Sequence, residues 1–193
     1  MISAIIMASG LSRRMGENKL LLRYGNSILA ENVFRAVKEM NFDDVVVVSQ
    51  YEEIFKLSDK YNFKIVYNKN AEVGQSESIK LGLNNVVNSK GYIFFVADQP
   101  FIDIFYLKEL VEEFKNDPEY IVMPRSNGKT GNPVIFPCNK KGELMNLQND
   151  EKGKKVIVHS SKIKYVEVPE KMLLDIDTRE DYKRLGGNKD EVN

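Results

Sequence analysis

At 193 residues, with 42% hydrophobic and 29% charged side chains, the chain has the balance of one folded unit able to bury its own core, expected over 1–185, with a polar tail from 186 to 193. Lys plus Arg and Asp plus Glu both total 28, so the formal net charge is zero, which argues against a broad nucleic-acid-binding surface. One cysteine, Cys138, excludes an intrachain disulfide and a cysteine metal cluster, and it reads as a small apolar filler suited to a reducing compartment.

The first seven residues, M-I-S-A-I-I-M, form an apolar run of strand length. It is too short for a signal peptide, and its arginines follow rather than precede it. No stretch approaches the roughly 18 apolar residues of a membrane span, so a cytoplasmic location is expected. Small residues end the strand, and A-S-G-L-S-R-R-M-G-E-N-K follows over Ala8 to Lys19. Gly10 and Gly16 bracket two adjacent arginines, with Lys19 beyond. A strand that breaks into a glycine-containing cationic loop suits a polyphosphate, because the backbone can approach it and the side chains neutralise its charge. The loop is neither a Walker A motif nor a dinucleotide fingerprint. Gly128-Lys129-Thr130 ends like a Walker motif, but Met123 stands where the first glycine belongs and Gly131-Asn132-Pro133 follows, which does not continue a helix.

Ser27 reads as the N-cap of a helix running to Met40, since Ile28, Leu29, Val33, Val37 and Met40 fall near helical spacing. Val45–Val48 is a β-branched run of the kind buried on both faces of a parallel sheet. A helix over 52–61 and a strand over 63–67 follow, ending at Asn68. In E-V-G-Q-S-E-S-I-K-L-G-L, Gly74 gives a turn and Ser76 or Ser78 can cap a helix whose first N–H groups are free. Tyr92 to Ala97 is a further buried strand, and Asp98 stands at its carboxyl end, where ligands gather in open α/β sheets and where an aspartate can hold Mg²⁺. Asp103 suits a cap for the helix from 104. A strand over 120–123, a turn-rich stretch over 126–133 and a strand over 134–136 suggest a hairpin. Lys140 to Leu147 reads as helix, 149–155 as polar loop, 163–168 as strand. The lone histidine, His159, has no motif around it, so a Ser-His-Asp triad is not expected. In L-L-D-I-D-T, Asp175 and Asp177 project to one side if the segment is extended, and Thr178 or Asp177 can cap a last helix. The alternation of strands and helices implies a three-layer α/β/α, Rossmann-like fold with a mostly parallel sheet.

Taken together, the motifs resemble the MobA-like nucleotidyltransferases, nearest the molybdenum cofactor cytidylyltransferase branch with its pattern L-A-A-G-x-S-x-R-M-G-x-x-K. The likeness runs from Ile2 to about Tyr182. It is carried by the opening loop, Asn68, G-Q-S-E-S-I from Gly74, A-D-Q-P from Ala97, G-N-P-V-I-F from Gly131 and D-I-D-T from Asp175. The resemblance implies a nucleotide-diphospho-sugar transferase type of fold. It also implies a Mg²⁺-dependent reaction in which a phosphate of the molybdopterin cofactor attacks the α-phosphorus of a nucleoside triphosphate, here CTP, and pyrophosphate leaves. By that resemblance Ala8, Ser9 and Gly10 lie near base and ribose. Ser12, Arg13, Gly16 and Lys19 belong to the triphosphate loop, with Arg13, Lys19 and Asp98 catalytic. Asn68, Gly74, Ser76 and Ser78 line the nucleotide pocket, Asp98 and Asp177 hold the metal, and Gly131, Asn132 and Pro133 border the acceptor. It leaves open docking to a molybdenum hydroxylase or its maturation factor; no nucleic acid and no membrane partner is implied.

Three positions depart from the family pattern. Ser9 stands where the cytidylyl branch has alanine and the guanylyl branch glycine, Asn132 where histidine is common, and Glu151 to Lys155 where Asp-x-Gly-x-Arg is frequent. If Lys155 replaces that arginine, a bidentate contact becomes a point charge. The alternatives are GTP as donor, a sugar or polyol phosphate as acceptor, or a cofactor carrier without catalysis.

Overall fold

The structure is a computed structural model that describes residues 1–187; positions 188–193, most of the expected polar tail, lie outside the described residues. In chain order the elements are β1 (Ile2–Ala8), β2 (Arg23–Tyr24), β3 (Ser27–Ile28), α1 (Glu31–Met40), β4 (Asp44–Ser49), α2 (Glu52–Tyr61), β5 (Lys64–Tyr67), α3 (Gln75–Asn85), β6 (Gly91–Val96), α4 (Ile104–Asn116), β7 (Ile121–Ser126), β8 (Lys129–Thr130), β9 (Val134–Pro137), α5 (Lys141–Met145), α6 (Lys154–Val158), β10 (Ile163–Glu167) and α7 (Arg179–Arg184).

The main sheet runs β10-β7-β9-β6-β1-β4-β5, with β8 paired to β7. All neighbours along that path are parallel except at β9, which lies antiparallel between β6 and β7. The expected mostly parallel α/β fold is therefore present. The apolar runs of β1 and β4 feed both faces of the sheet, because successive side chains point oppositely. Ile6 and Val47 pack with Phe34, Ile54, Leu107 and Phe114 from α1, α2 and α4. Ile5 and Val46 pack on the other side with Ile79, Leu83, Leu144 and Val156 from α3, α5 and α6. No helix among the described residues is long and apolar enough to cross a membrane.

Three local expectations need correction. The helix expected from Ser27 begins only at Glu31. Gly25, at φ +62°, turns the chain into the small β2–β3 hairpin, and the Ser27 hydroxyl is buried without a hydrogen-bond partner rather than capping. Leu29 is buried as helical spacing suggested, but against Met15, Ile176 and Tyr182, so tertiary packing sets the conformation of 27–30. The polar loop expected over 149–155 ends at Gly153, after which α6 forms. Cys138 is exposed, not a core filler. The Walker-like Gly128 is a hairpin residue: Asn127 and Gly128 both have positive φ, as a tight β7–β8 turn requires.

Candidate active site

Because β1 and β6 are parallel neighbours, Met7 pairs with Val96 and the Ala97 N–H donates to the Met7 carbonyl. Both strands thus release their chains at the same carboxyl edge, one into the 9–19 loop and the other into Asp98. A small apolar cluster of Met15, Leu29, Ile176 and Tyr182 clamps this loop to the segment before α7. The Ile176 N–H donates to the Asp98 carbonyl at 3.1 Å, which brings Asp177 beside Asp98. Thr178 caps α7 through a reciprocal capping box with Asp181, so Asp177 is not needed as the cap.

Within the loop, Ser12 adopts φ +49° and Gly16 φ +74°, and the Met15 N–H closes a turn on the Ser12 carbonyl. The Ser12 hydroxyl accepts from the Lys19 N–H at 3.1 Å, and Asn18 caps the short turn Lys19–Leu21. The backbone at Lys19 is therefore fixed, and its side chain is delivered inward. The ammonium donates to Asp98 Oδ2 and to Asp177 Oδ1, each at 2.6 Å, with the Lys19 side chain only 9% exposed. The second oxygen of Asp177 takes the guanidinium of Arg14 at 2.5 Å. Arg13 also lines the cleft, yet it makes no ion pair among the described residues. In the S-x-R-M-G register of residues 12–16 the pattern's arginine falls on Arg14, and it is Arg14 rather than Arg13 that reaches Asp177.

Burial works against charge on Lys19, but Asp98 and Asp177 outweigh it and hold the ammonium above its ordinary range. Burial likewise opposes charge on Asp177, and Lys19 followed by Arg14 reverses this, holding the carboxyl below its ordinary range. Asp175, open to the same cleft, is shifted the other way, first by partial desolvation and then by the charges of Asp177 and Asp98. The pH dependence follows in sign. Stability from Asp177 is present above its unfolded pKa, about 4, and is lost as pH falls through the lower folded value. Stability from Lys19 is present below its unfolded pKa and is lost as pH rises through the higher folded value. Asp177→Asn should therefore lower the urea midpoint at neutral pH, and the gap from wild type should close in acid, as pH falls through the lowered folded value of Asp177. A gap unchanged by acid would contradict the ion-paired assignment.

These groups open into a cleft of about 920 Å³. On one side Ser9, Gly10, Gly74 and Ser78 line it. The Ser9 hydroxyl donates to the Val48 carbonyl at 3.1 Å, so its proton is committed inside the fold while its oxygen can still accept. Gln50 and Tyr51, which leave the carboxyl end of β4, donate to the carbonyls of Ser9 and Gly10 at 2.9 and 2.7 Å and brace the loop. Ala8, Gly16, Asn68 and Ser76 do not line the cleft. Asn68 is buried and donates to the Ser78 hydroxyl, which positions that serine. Ser76 and Ser78 lie within α3 rather than at its cap, which is Gly74. The Ser76 hydroxyl donates to the Asn149 carbonyl at 2.5 Å, and Asp150 accepts from the Gln75 N–H at 3.3 Å. The first N–H of α3 is therefore not free.

On the other side lie Gly131 and Asn132, together with Lys152, Lys154, Val158 and Tyr165; Pro133 is buried behind them. Lys155 points elsewhere and pairs with Glu151 at 2.5 Å, so the cations facing this part of the cleft are Lys152 and Lys154. Arg14, Gln50, Tyr51 and Asp150 were not singled out from sequence. Two of them, Gln50 and Tyr51, carried a usable signal, since they directly follow a buried strand of the parallel sheet.

Comparison with known proteins gives the family and the fold. The family model of the MobA-like NTP transferase domain matches residues 4–164. A probable molybdenum cofactor guanylyltransferase of Natranaerobius thermophilus is 33% identical over 129 residues, which cover 66% of this chain and 62% of the relative. A 3-deoxy-manno-octulosonate cytidylyltransferase of Rickettsia canadensis is 32% identical over 156 residues, 74% of this chain and 62% of the relative. The matches thus span 62% of the length of each of these two relatives. In fold, the crystal structure of Rv0371c from Mycobacterium tuberculosis superposes with a TM-score of 0.83 at 24% identity, covering 97% of both chains. Matched by that family model over most of its length, the chain belongs to the MobA-like NTP transferase domain family.

Proposed function

We propose that the protein transfers a nucleotidyl group from CTP to the phosphate of the molybdopterin cofactor. An oxygen of that phosphate forms a bond to the α-phosphorus, and the bond from the α-phosphorus to the bridging oxygen breaks, so pyrophosphate leaves with the electron pair. The observation that carries this reading is the convergence of Lys19 and Arg14 with Asp98 and Asp177 at the carboxyl edge of the sheet, facing a cleft near the upper end of the usual ligand-pocket range. Transfer at phosphorus asks mainly for positioning and charge stabilisation. Lys19 and Arg14 supply positive charge for phosphate oxygens, and the braced loop backbone sets their register.

Among the described residues no three His, Cys, Asp or Glu side chains form a metal cage. Asp98 and Asp177 present two carboxylates to one cation, which fits Mg²⁺, an ion that takes one or two carboxylates and completes its shell with phosphates and water. Held there, Mg²⁺ would supply Lewis-acid stabilisation of the phosphates. The acceptor attacks as a phosphate already anionic at neutral pH, so no histidine is required. Lys152 and Lys154 suit its charge, while Val158 and Tyr165 offer apolar and aromatic surface to a flat heterocycle.

The relative named as a molybdenum cofactor guanylyltransferase supports the acceptor and favours GTP as the second reading, whereas the relative named as a cytidylyltransferase favours CTP. Pyrophosphate release with Mg²⁺, comparing CTP, GTP, ATP and UTP with and without the cofactor, decides between them. Release with CTP that depends on the cofactor is expected, release with GTP alone would move the donor, and release indifferent to the cofactor would sink the acceptor. In the same assay Arg14→Ala should cost about 100-fold in kcat/KM, and Arg13→Ala about tenfold or less. Equal losses would contradict this ordering of the two arginines.

A further inference from the structure

We propose that Lys19 is an internal cation that closes the Asp98–Asp177 pair to free divalent metal, so that metal enters only with a nucleotide whose phosphates draw the lysine away. This rests on the reading of those aspartates as the metal-holding pair. The Lys19 ammonium sits 2.6 Å from an oxygen of each carboxylate, and Arg14 holds the remaining oxygen of Asp177 at 2.5 Å. Three carboxylate oxygens that face the cleft are thus already engaged by positive charge. A divalent ion taking the same oxygens would meet the ammonium at contact distance in a partly desolvated site, where repulsion between cations is weakly screened. The lysine must therefore leave before the ion can take the oxygens it holds.

The local structure lets it leave without unfolding the loop. The Lys19 N–H is held by the Ser12 hydroxyl, and the turn is capped by Asn18, so the backbone is a fixed pivot. Beyond it the four-carbon stem is flexible and ends in a point charge. Arg14, 69% exposed, is freer still. A triphosphate in the adjoining cleft offers several anionic oxygens to both cations. Lys19 and Arg14 can pass from carboxylates to phosphates while the divalent ion takes their place, so neither the carboxylates nor the two side-chain cations are left without a counter-charge.

The test is Mn²⁺ binding followed by electron paramagnetic resonance, with and without the α,β-methylene analogue of CTP. Wild type should bind Mn²⁺ weakly alone and at least tenfold more tightly with the analogue. Lys19→Met should tighten binding of Mn²⁺ alone at least tenfold and shrink the gain from the analogue. Lys19→Gln, whose amide still donates to the carboxylates, should do the same if Lys19→Met fails to fold. The proposal is overturned if wild type binds free Mn²⁺ as tightly as it does with the analogue, or if neither variant tightens it. In either case, loss of Mn²⁺ binding in Asp98→Asn would leave the metal-site reading standing. If Asp98→Asn and Asp177→Asn both retain that binding, the metal site itself is misplaced and the proposal falls with it.

Discussion

Replacing Asp98 by Asn should lower kcat for nucleotidyl transfer by about 10³-fold while the protein stays folded. The amide keeps the shape of the carboxylate but gives up its negative charge, and with it half of the pair that faces Lys19 and, by our reading, the metal. Positioning alone cannot compensate, because charge stabilisation at phosphorus is most of what the protein contributes. Nucleotide binding without metal should survive, since Asp98 holds the cation side of the site rather than the base side. Pyrophosphate release and calorimetric titration of the nucleotide separate the two effects. Asp103→Asn is the control. Asp103 caps α4 by accepting from the Phe105 N–H at 2.8 Å, so its loss should cost at most about 1 kcal/mol of stability and leave kcat unchanged. If Asp98→Asn turned over like wild type, its role at the reacting centre would be refuted.

Gly74→Ala should be the most damaging change on the nucleotide side. Gly74 has φ +120°, a region that side chains avoid, and a Cβ there would lie 2.6 Å from the Asp150 Cα and 2.7 Å from its carboxylate. The obstacle is backbone, so the loop at 149–150 must move, and with it the anchors to Gln75 and Ser76. Strain and overpacking together suggest a loss of about 3 kcal/mol in urea unfolding, and a KM for the nucleotide raised about tenfold by the displaced wall of the cleft. Gly10→Ala makes the useful contrast. A Cβ at Gly10 meets nothing within 4 Å, so stability should change little. Yet Gly10 lines the cleft, and a methyl group there stands where, by the proposed function, the nucleotide approaches. Weakened nucleotide binding at unchanged stability would place the ligand against this backbone; unchanged binding would place it elsewhere.

How much of this was legible beforehand depended on whether a residue's neighbours in sequence were also its neighbours in space. The strands β1, β4 and β6 announce themselves as apolar runs because both of their faces are covered. Two of the polar stretches that line the cleft, the loop from Ser9 and the turn at Asp98, directly follow such strands, β1 and β6. The β2–β3 hairpin was hidden because Ile28 and Leu29 also satisfy helical spacing, and only the distant Ile176 and Tyr182 decide against a helix there. Arg13 and Arg14 differ by one position, and composition cannot say which of them reaches Asp177, 163 positions away; in the fold it is Arg14. Ser76 and Ser78 looked like caps or ligands, whereas one anchors a loop and the other, held by Asn68, faces the cleft. Lys155 seemed the cation of its segment until α6 formed and turned it onto Glu151.

The most direct measurement follows the phosphorus. The protein is incubated with Mg²⁺, molybdopterin cofactor and nucleoside triphosphate carrying a radioactive label at either the α- or the γ-phosphorus. If the chain is a nucleotidyltransferase acting on this acceptor, the α-label moves onto the cofactor and the γ-label appears in pyrophosphate. If the γ-label appears instead as inorganic phosphate, or the α-label never leaves the mononucleotide pool, the proposed reaction is not the one this cleft carries out.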